Sequence, residues 1–314
     1  MLNFNGSTVP TIGVEIELQI LNPSTFDLTP QAEHVISLCR QQGVSRVKAE
    51  IHQSMIEIDS EISLDVKECR SFLEHRMIRL NEIAESLELK IGVTGTHPFQ
   101  KWQDRLISND SRYIYLHEKF QWLVQRMNIY ALHVHIGVPT GDRVFAISNA
   151  MVRYLPHLLA LSANSPFWQG KDTGMQSSRV NIMESFPFAG LPPIINSWKE
   201  FEYYYDTLHK TGIIGSLKDL YWYIRPNVSF GTIEFRICDA TSTLSENMAI
   251  VALIQTLTAS INEQLDAGGL HDPWTQEHLW IAPENQWIAA RDGLEGMIIT
   301  DLQGTRRKIS DEIL

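Results

Sequence analysis

Residues 11–21 alternate in character: Val14, Ile16 and Leu18 are apolar, and Glu15, Glu17 and Gln19 between them are polar. A period of two predicts a strand, which closes at the Asn22-Pro23-Ser24 turn signal. The same alternation returns around His133 and His135 in Ala-Leu-His-Val-His-Ile-Gly-Val and around Glu234 and Arg236 in Thr-Ile-Glu-Phe-Arg-Ile. Shorter strands are predicted near 91–96 and 221–225. Residues 46–58 read as two strand pieces bent at Gln53-Ser54, because an unbroken strand would send Glu50 and Glu57, an odd number apart, to opposite faces. Leu64, Cys69, Leu73, Met77, Leu80, Ile83 and Leu87 recur at three-to-four spacing and predict a long amphipathic helix over 64–88. Further helices are predicted over 30–42, 111–126, 199–210 and 245–266, and one from a Thr140 or Asp142 cap to 163. Residues 164–198 are rich in Gly, Pro and Ser without a period, and read as a long functional loop.

The strands are joined by one or two helices in no regular βαβ rhythm, so the expected fold is α+β, with a largely antiparallel sheet flanked by helices. Nothing resembling a linker divides the 314 residues, and a single domain over 1–314 is expected. Lys and Arg number 26 against 37 Asp and Glu, a net charge of -11, which argues against a nucleic-acid partner. The three cysteines lack CxxC spacing and read as reduced, intracellular thiols, which favours the cytoplasm. No apolar run approaches the ~20 residues of a membrane span, and the N-terminus lacks a secretory pattern. A homo-oligomer is compatible with all of this.

Chemistry enters through the polar members of the strands. Glu15 and Glu17 share one strand face and repel each other wherever water is scarce, unless a cation lies between them. Glu50, Glu57 and Glu234 add acids in strand-like settings, and the predominance of carboxylates suits Mg²⁺ or Mn²⁺ better than Zn²⁺. The competing reading is a solvated strand face carrying surface acids. His133 and His135 contact metal or substrate, or else hydrogen-bond within the core. Glu234 and Arg236 form either an ion pair or a divided site, with the carboxylate on a cation and the planar guanidinium on a phosphate; Arg225 would add a second fork. Arg179 and Asn181, in the long loop, are candidate clamps for a substrate carboxylate.

Gly13-Val-Glu-Ile-Glu-Leu, Gly95-Thr-His-Pro-Phe-Gln-Lys-Trp, His133-Val-His-Ile-Gly, Ser162-Ala-Asn-Ser-Pro, Ser177-Ser-Arg, Ile224-Arg-Pro and Thr232-Ile-Glu-Phe-Arg-Ile-Cys-Asp together resemble the bacterial ATP-dependent carboxylate–amine ligases of the glutamate–cysteine ligase 2 type. The resemblance implies a glutamine-synthetase-like or guanido-kinase-like sheet cup for ATP and Mg²⁺ (or Mn²⁺). It also implies metal ligands at Glu15, Glu17, Glu50, Glu57, His133 and Glu234. Arg236 would contact the transferred phosphate, with Arg225 and Glu57 beside it in the catalytic set, and small amino-acid substrates would meet Arg179, Asn181, His135, Thr96 and His97. Glu50 stands where Asp is expected and Gln53 where Glu is expected, so the number of bound metals is open. Further helices are expected beyond the C-terminus. A phosphotransferase, or a binding protein that has lost catalysis, is the alternative.

Overall fold

The computed structural model describes residues 2–270, 278 and 280–313. In chain order the first half forms β1 (Ile12–Leu21), α1 (Ala32–Gln41), β2 (Val47–Ala49), β3 (Met55–Asp59), α2 (Val66–Ser86), β4 (Lys90–Gly92), α3 (Ser111–Phe120), α4 (Trp122–Gln125), β5 (Leu132–Gly137) and α5 (Gly141–Met151). The second half forms α6 (Leu155–Ser162), β6 (Phe167–Trp168), β7 (Lys171–Asp172), α7 (Arg179–Met183), β8 (Ala189–Gly190), α8 (Trp198–Lys210), β9 (Tyr221–Trp222), β10 (Ile224–Asn227), β11 (Thr232–Phe235), α9 (Leu244–Asp266), α10 (Ile281–Asp292), β12 (Met297–Ile299), β13 (Arg306–Lys308) and α11 (Ile309–Ile313).

Seven strands make one antiparallel sheet in the order β10-β11-β5-β1-β3-β2, with β4 paired to the end of β1. The α+β expectation holds. One sheet face is sealed by the apolar members of each strand: Val14, Ile16, Leu18, Ile56, Ile58, Val134, Ile136 and Ile233 are almost fully buried. Against them pack α2, α5 and α9, whose Leu73, Leu80, Val144, Val251 and Ile254 belong to the same core. Burial of this kind is worth roughly 1.5–3 kcal/mol per large side chain, and it forces every alternate, polar residue onto the opposite face. Helix starts are fixed by side chains that accept the first free N–H groups: Asp65 for α2, Thr140 for α5, Ser197 for α8, and Thr243 with Glu246 as a capping box for α9.

Several boundaries differ from expectation. The 111–126 helix breaks at Gln121, whose φ is +48°. The helix from Thr140 to 163 is interrupted by a 3₁₀ turn, with Pro156 in the first turn of α6, where a missing N–H costs nothing. The 91–96 strand is only β4, and the 221–225 strand divides at Tyr223 into β9, parallel to β8, and β10. The long loop contains β6, β7, α7 and β8. Two helical stretches, Gly141–Ser162 and Leu244–Asp266, are long and apolar enough to cross a membrane by length and composition, contrary to the reading of the sequence; both pack against each other and the sheet, the first mostly buried and the second with its outer face exposed.

The β10–β11 hairpin turns at Gly231, whose φ is +64° and where an added Cβ would fall 1.8 Å from the Asn5 carbonyl oxygen. Backbone on both sides leaves nothing to give way. Gly231→Ala is expected to destabilise the fold by about 2–4 kcal/mol, read as a lowered urea midpoint. An unchanged midpoint would mean that the N-terminal segment does not lie across this turn.

Candidate active site

Register decides which side chains meet. Across β1 and its neighbours Glu15 faces His133 and Asp59, and Glu17 faces Glu57; across β11, Glu234 faces His135 and Arg225. These pairs line up on the polar face of the sheet and open into a cavity of about 430 Å³, bordered by Glu15, Glu17, Glu50, Glu57, His133, Glu234, Arg179, Arg225 and Arg236. The solvated-face alternative fails, because Glu17, Glu57, His133 and Glu234 are all buried.

The cavity has two electrostatic halves. At one end Glu234 is gripped by Arg225, Nε to Oε2 at 2.8 Å and Nη2 to Oε1 at 3.0 Å, and by Nη1 of Arg236. Burial pushes Glu234 up, but the two guanidinium groups outweigh it and hold the carboxyl far below the usual range. At the other end Glu17, Glu50 and Glu57 bring carboxylate oxygens within 4.8 Å of one another. Their nearest ammonium is half-exposed Lys48, 3.5 Å from Glu57. Burial and then Glu50 raise Glu17 to about 8, and burial with four neighbouring acids raises Glu57 well above normal.

Glu15 joins the halves. Its Oε2 lies 3.2 Å from Nδ1 of His133, and its Oε1 lies 3.4 Å from Nε2 of His135. Burial opposes ionisation of Glu15, but His135 and then the contacts to both rings more than compensate, and the carboxyl stays well below normal. Burial and Arg236 lower His133 to about 4, so that ring is neutral and fit to ligate. Two further donor sets arise here, Glu15 with Glu57 and His133, and Glu15 with His135 and Glu234, each with its atoms within 4.8 Å. Crowded carboxylate oxygens with an occasional imidazole fit a hard divalent cation such as Mg²⁺ or Mn²⁺.

Not every expected residue is here. Thr96 donates to the Phe167 carbonyl, and His97 bonds the Phe26 carbonyl and the Gln100 N–H, so both brace loops away from the acids. Asn181 borders a second cavity, with Glu184, Gln286 and Trp287, on the other side of α7. His135 sits beneath the Phe230 ring and bonds Thr232, in contact with Glu15 but off the cavity wall. Gln53 bonds the Ile107 carbonyl and lies outside the cavity, so its amide removes no charge from the acid cluster. Arg179 is a helix residue rather than a loop residue; it reaches the cavity wall, but both end nitrogens bond backbone carbonyls. The sequence reading missed Asp59 and Lys48, which pair with each other beside Glu57. Glu57-Ile-Asp59 repeats the i, i+2 pattern of Glu15 and Glu17, and that signal could have found Asp59.

Comparison with known proteins gives the fold and the family. The fold matches a solved bifunctional glutathione synthetase from Pasteurella multocida (TM-score 0.68, 13% identity, 91% of this chain and 42% of that one). It also matches a glutamate–cysteine ligase from Francisella tularensis solved with AMP (TM-score 0.65, 11% identity, 99% and 77%). These likenesses carry the fold, a glutamine-synthetase-like antiparallel sheet flanked by helices. The profile of glutamate–cysteine ligase family 2 matches residues 11–314. Proteins provisionally named glutamate–cysteine ligase 2 are 41% identical in Gloeobacter violaceus, over 95% of this chain and 80% of theirs, and 37% identical in Bdellovibrio bacteriovorus, over 99% and 81%. The chain belongs to glutamate–cysteine ligase family 2 and is an ATP-dependent carboxylate–amine ligase.

The crowded acids make a pH-dependent stability signature. Protonated Glu17 is favoured in the fold, and this contribution is complete below about pH 4.5 and lost as pH rises towards 8. Glu17→Gln keeps an acceptor for the Ala131 N–H and carries no charge. In EDTA the variant is expected to match wild type near pH 4.5 and to exceed it by ~1–3 kcal/mol at pH 8.5 in urea unfolding. A difference independent of pH would contradict burial of a strained carboxylate.

Proposed function

We propose that this cavity joins the carboxylate of glutamate to an amine through an acyl phosphate formed with ATP, while the glutamate clusters hold Mg²⁺ or Mn²⁺. The observation that carries the reading is the juxtaposition of a crowded carboxylate cluster with two part-buried arginines, one of which, Arg236, keeps its Nε buried and without a hydrogen-bond partner among the described residues. An unpaired buried N–H donor is costly unless a ligand completes it, and phosphate oxygen is the acceptor that a guanidinium fork suits best. Bound at these clusters, a divalent cation would neutralise phosphate charge and relieve the repulsion among Glu17, Glu50 and Glu57.

In the first step a carboxylate oxygen of the substrate attacks the γ-phosphorus, and the bond from that phosphorus to the β–γ bridging oxygen breaks, releasing ADP. In the second the amine nitrogen attacks the acyl carbon, phosphate leaves, and the amine gives up a proton. Arg236 holds the transferred phosphoryl group, and Arg225 keeps Glu234 in place beside it. Such a reaction runs on positioning and charge neutralisation and needs no enzyme nucleophile. Consistent with that, Cys39, Cys69 and Cys238 are buried, with thiols pushed up by burial. ATP use supports a cytoplasmic setting.

Hydroxylamine tests the intermediate directly. Offered in place of the amine, with glutamate, ATP and Mg²⁺, it is expected to give a glutamyl hydroxamate in amounts matching ADP, with none when ATP is omitted or EDTA is added. Glu15→Gln is expected to lower that yield at least ~100-fold with circular dichroism unchanged. ATP turnover indifferent to every carboxylate offered, with no hydroxamate, would leave a phosphotransferase instead.

Arg236→Lys keeps the charge and loses the fork. Turnover is expected to fall ~10-fold or more at an unchanged melting temperature. A purely structural pair with Glu234 gives the opposite result, a lower melting temperature with turnover per folded molecule retained.

A further inference from the structure

Four of the segments that carry the family resemblance converge at a place the reaction does not use. The Asp239 carboxylate is fully buried behind the cavity. It accepts hydrogen bonds from Ser165 Oγ at 2.6 Å, from the Asn164 N–H at 2.9 Å and from Ser177 Oγ at 3.0 Å. Gly95 lies against it so closely that an added Cβ would come within 2.5 Å of the carboxylate oxygen. Arg179 completes the node: its Nη1 is 3.8 Å from Asp239, and its backbone N–H donates to Ser165 Oγ at 3.1 Å.

The same guanidinium also grips the chain that carries Arg236. Nη1 donates to the Ile237 carbonyl and Nη2 to the Arg236 carbonyl, both at 3.1 Å. Arg236 follows the last residue of β11, and its backbone is held by its own N–H bond to the Tyr223 carbonyl, by the two carbonyl bonds from Arg179 and, two residues on, by the Leu132 N–H bond to the Cys238 carbonyl. We infer that Arg179, held by Asp239, Ser165 and Ser177, is a positioning residue that sets the backbone from which Arg236 reaches the transferred phosphoryl group. The role rests on the ligase reading of Arg236 given above. It replaces a direct grip of Arg179 on the substrate carboxylate, for which only Nε is left without a partner among the described residues.

The experiment is a kinetic cycle on the full chain. Arg179→Lys keeps a cation beside Asp239 but loses the planar fork whose separate nitrogens reach the Ile237 and Arg236 carbonyls. It is expected to lower kcat for hydroxamate formation ~10–100-fold while glutamate KM stays within ~2-fold, and to cost less than ~3-fold further in an Arg236→Lys background. A substrate clamp would instead raise glutamate KM with kcat kept, and a purely structural node would lower only the melting temperature; either overturns the inference. Should Arg179→Lys not fold, Ser177→Ala, which removes one bond to Asp239 and leaves the guanidinium, is expected to lower kcat ~3–10-fold, with the loss again absent beside Arg236→Lys. Independent multiplicative losses would refute the coupling. A crystal structure of Arg179→Lys gives a readout free of turnover: Arg236 is expected to part from Glu234, whereas an unmoved Arg236 refutes the inference even if wild type forms no hydroxamate and the ligase reading itself fails.

Discussion

Everything about this site follows from carboxylates held together where water cannot screen them. Glu17 lies opposite Glu57 because β1 and β3 pair in a single register, and a slip of one residue would turn both into the apolar core. The register is enforced from the other face, where Ile16, Leu18, Ile56 and Ile58 are buried against helices. The core therefore does more than stabilise. It supplies the free energy that keeps mutually repelling groups in contact, and so keeps a cation site from relaxing into a solvated surface.

That repulsion is confined to one part of the cavity. Glu234 is paired with both Arg225 and Arg236, while Glu17, Glu50 and Glu57 crowd together with the half-exposed Lys48 beside Glu57, and Arg179 and Arg236 offset the charge of Glu17 only in part. Glu15 bridges the two through His133 and His135. A ligand that carries both phosphate oxygens and bound cations would be matched by this split, its anionic end towards the guanidinium groups and its counter-ions among the acids. A uniformly acidic cleft would repel such a ligand, and a uniformly basic one would not retain its cations.

The strand acids were legible in sequence because a strand has a period of two, and charges at i and i+2 within an apolar run mark a strand with one polar face. Glu50 and Glu57 were placed on one site by parity, and the turn between β2 and β3 does bring them together. The 164–198 segment was not legible, because its order comes from distant partners: Ser165 and Ser177 bond Asp239, and Tyr221 and Tyr223 bond the carbonyls of Phe188 and Gly190. No local period records such bonds. The helix α10 and the β12–β13 hairpin went unread for want of any motif or strong alternation.

Thr96, His97, Asn181 and Arg179 show a subtler limit. Each lies in or next to a segment whose residues resemble those of known ligases, and from sequence a segment that shapes the site cannot be told from one that lines it. Geometry separates them. Glu15, Glu57 and Glu234 present oxygens to the cavity, whereas Thr96 and His97 use their polar atoms to tie one loop to another. Arg179 stands at the boundary, its guanidinium on the cavity wall but its end nitrogens turned to the chain that carries Arg236. A charged group is committed once its donors are used. The residues free to meet a substrate are therefore those whose hydrogen-bonding capacity the fold leaves unfilled, which here include the crowded carboxylates and the Nε of Arg236, with only the Nε of Arg179 left beside its committed end nitrogens.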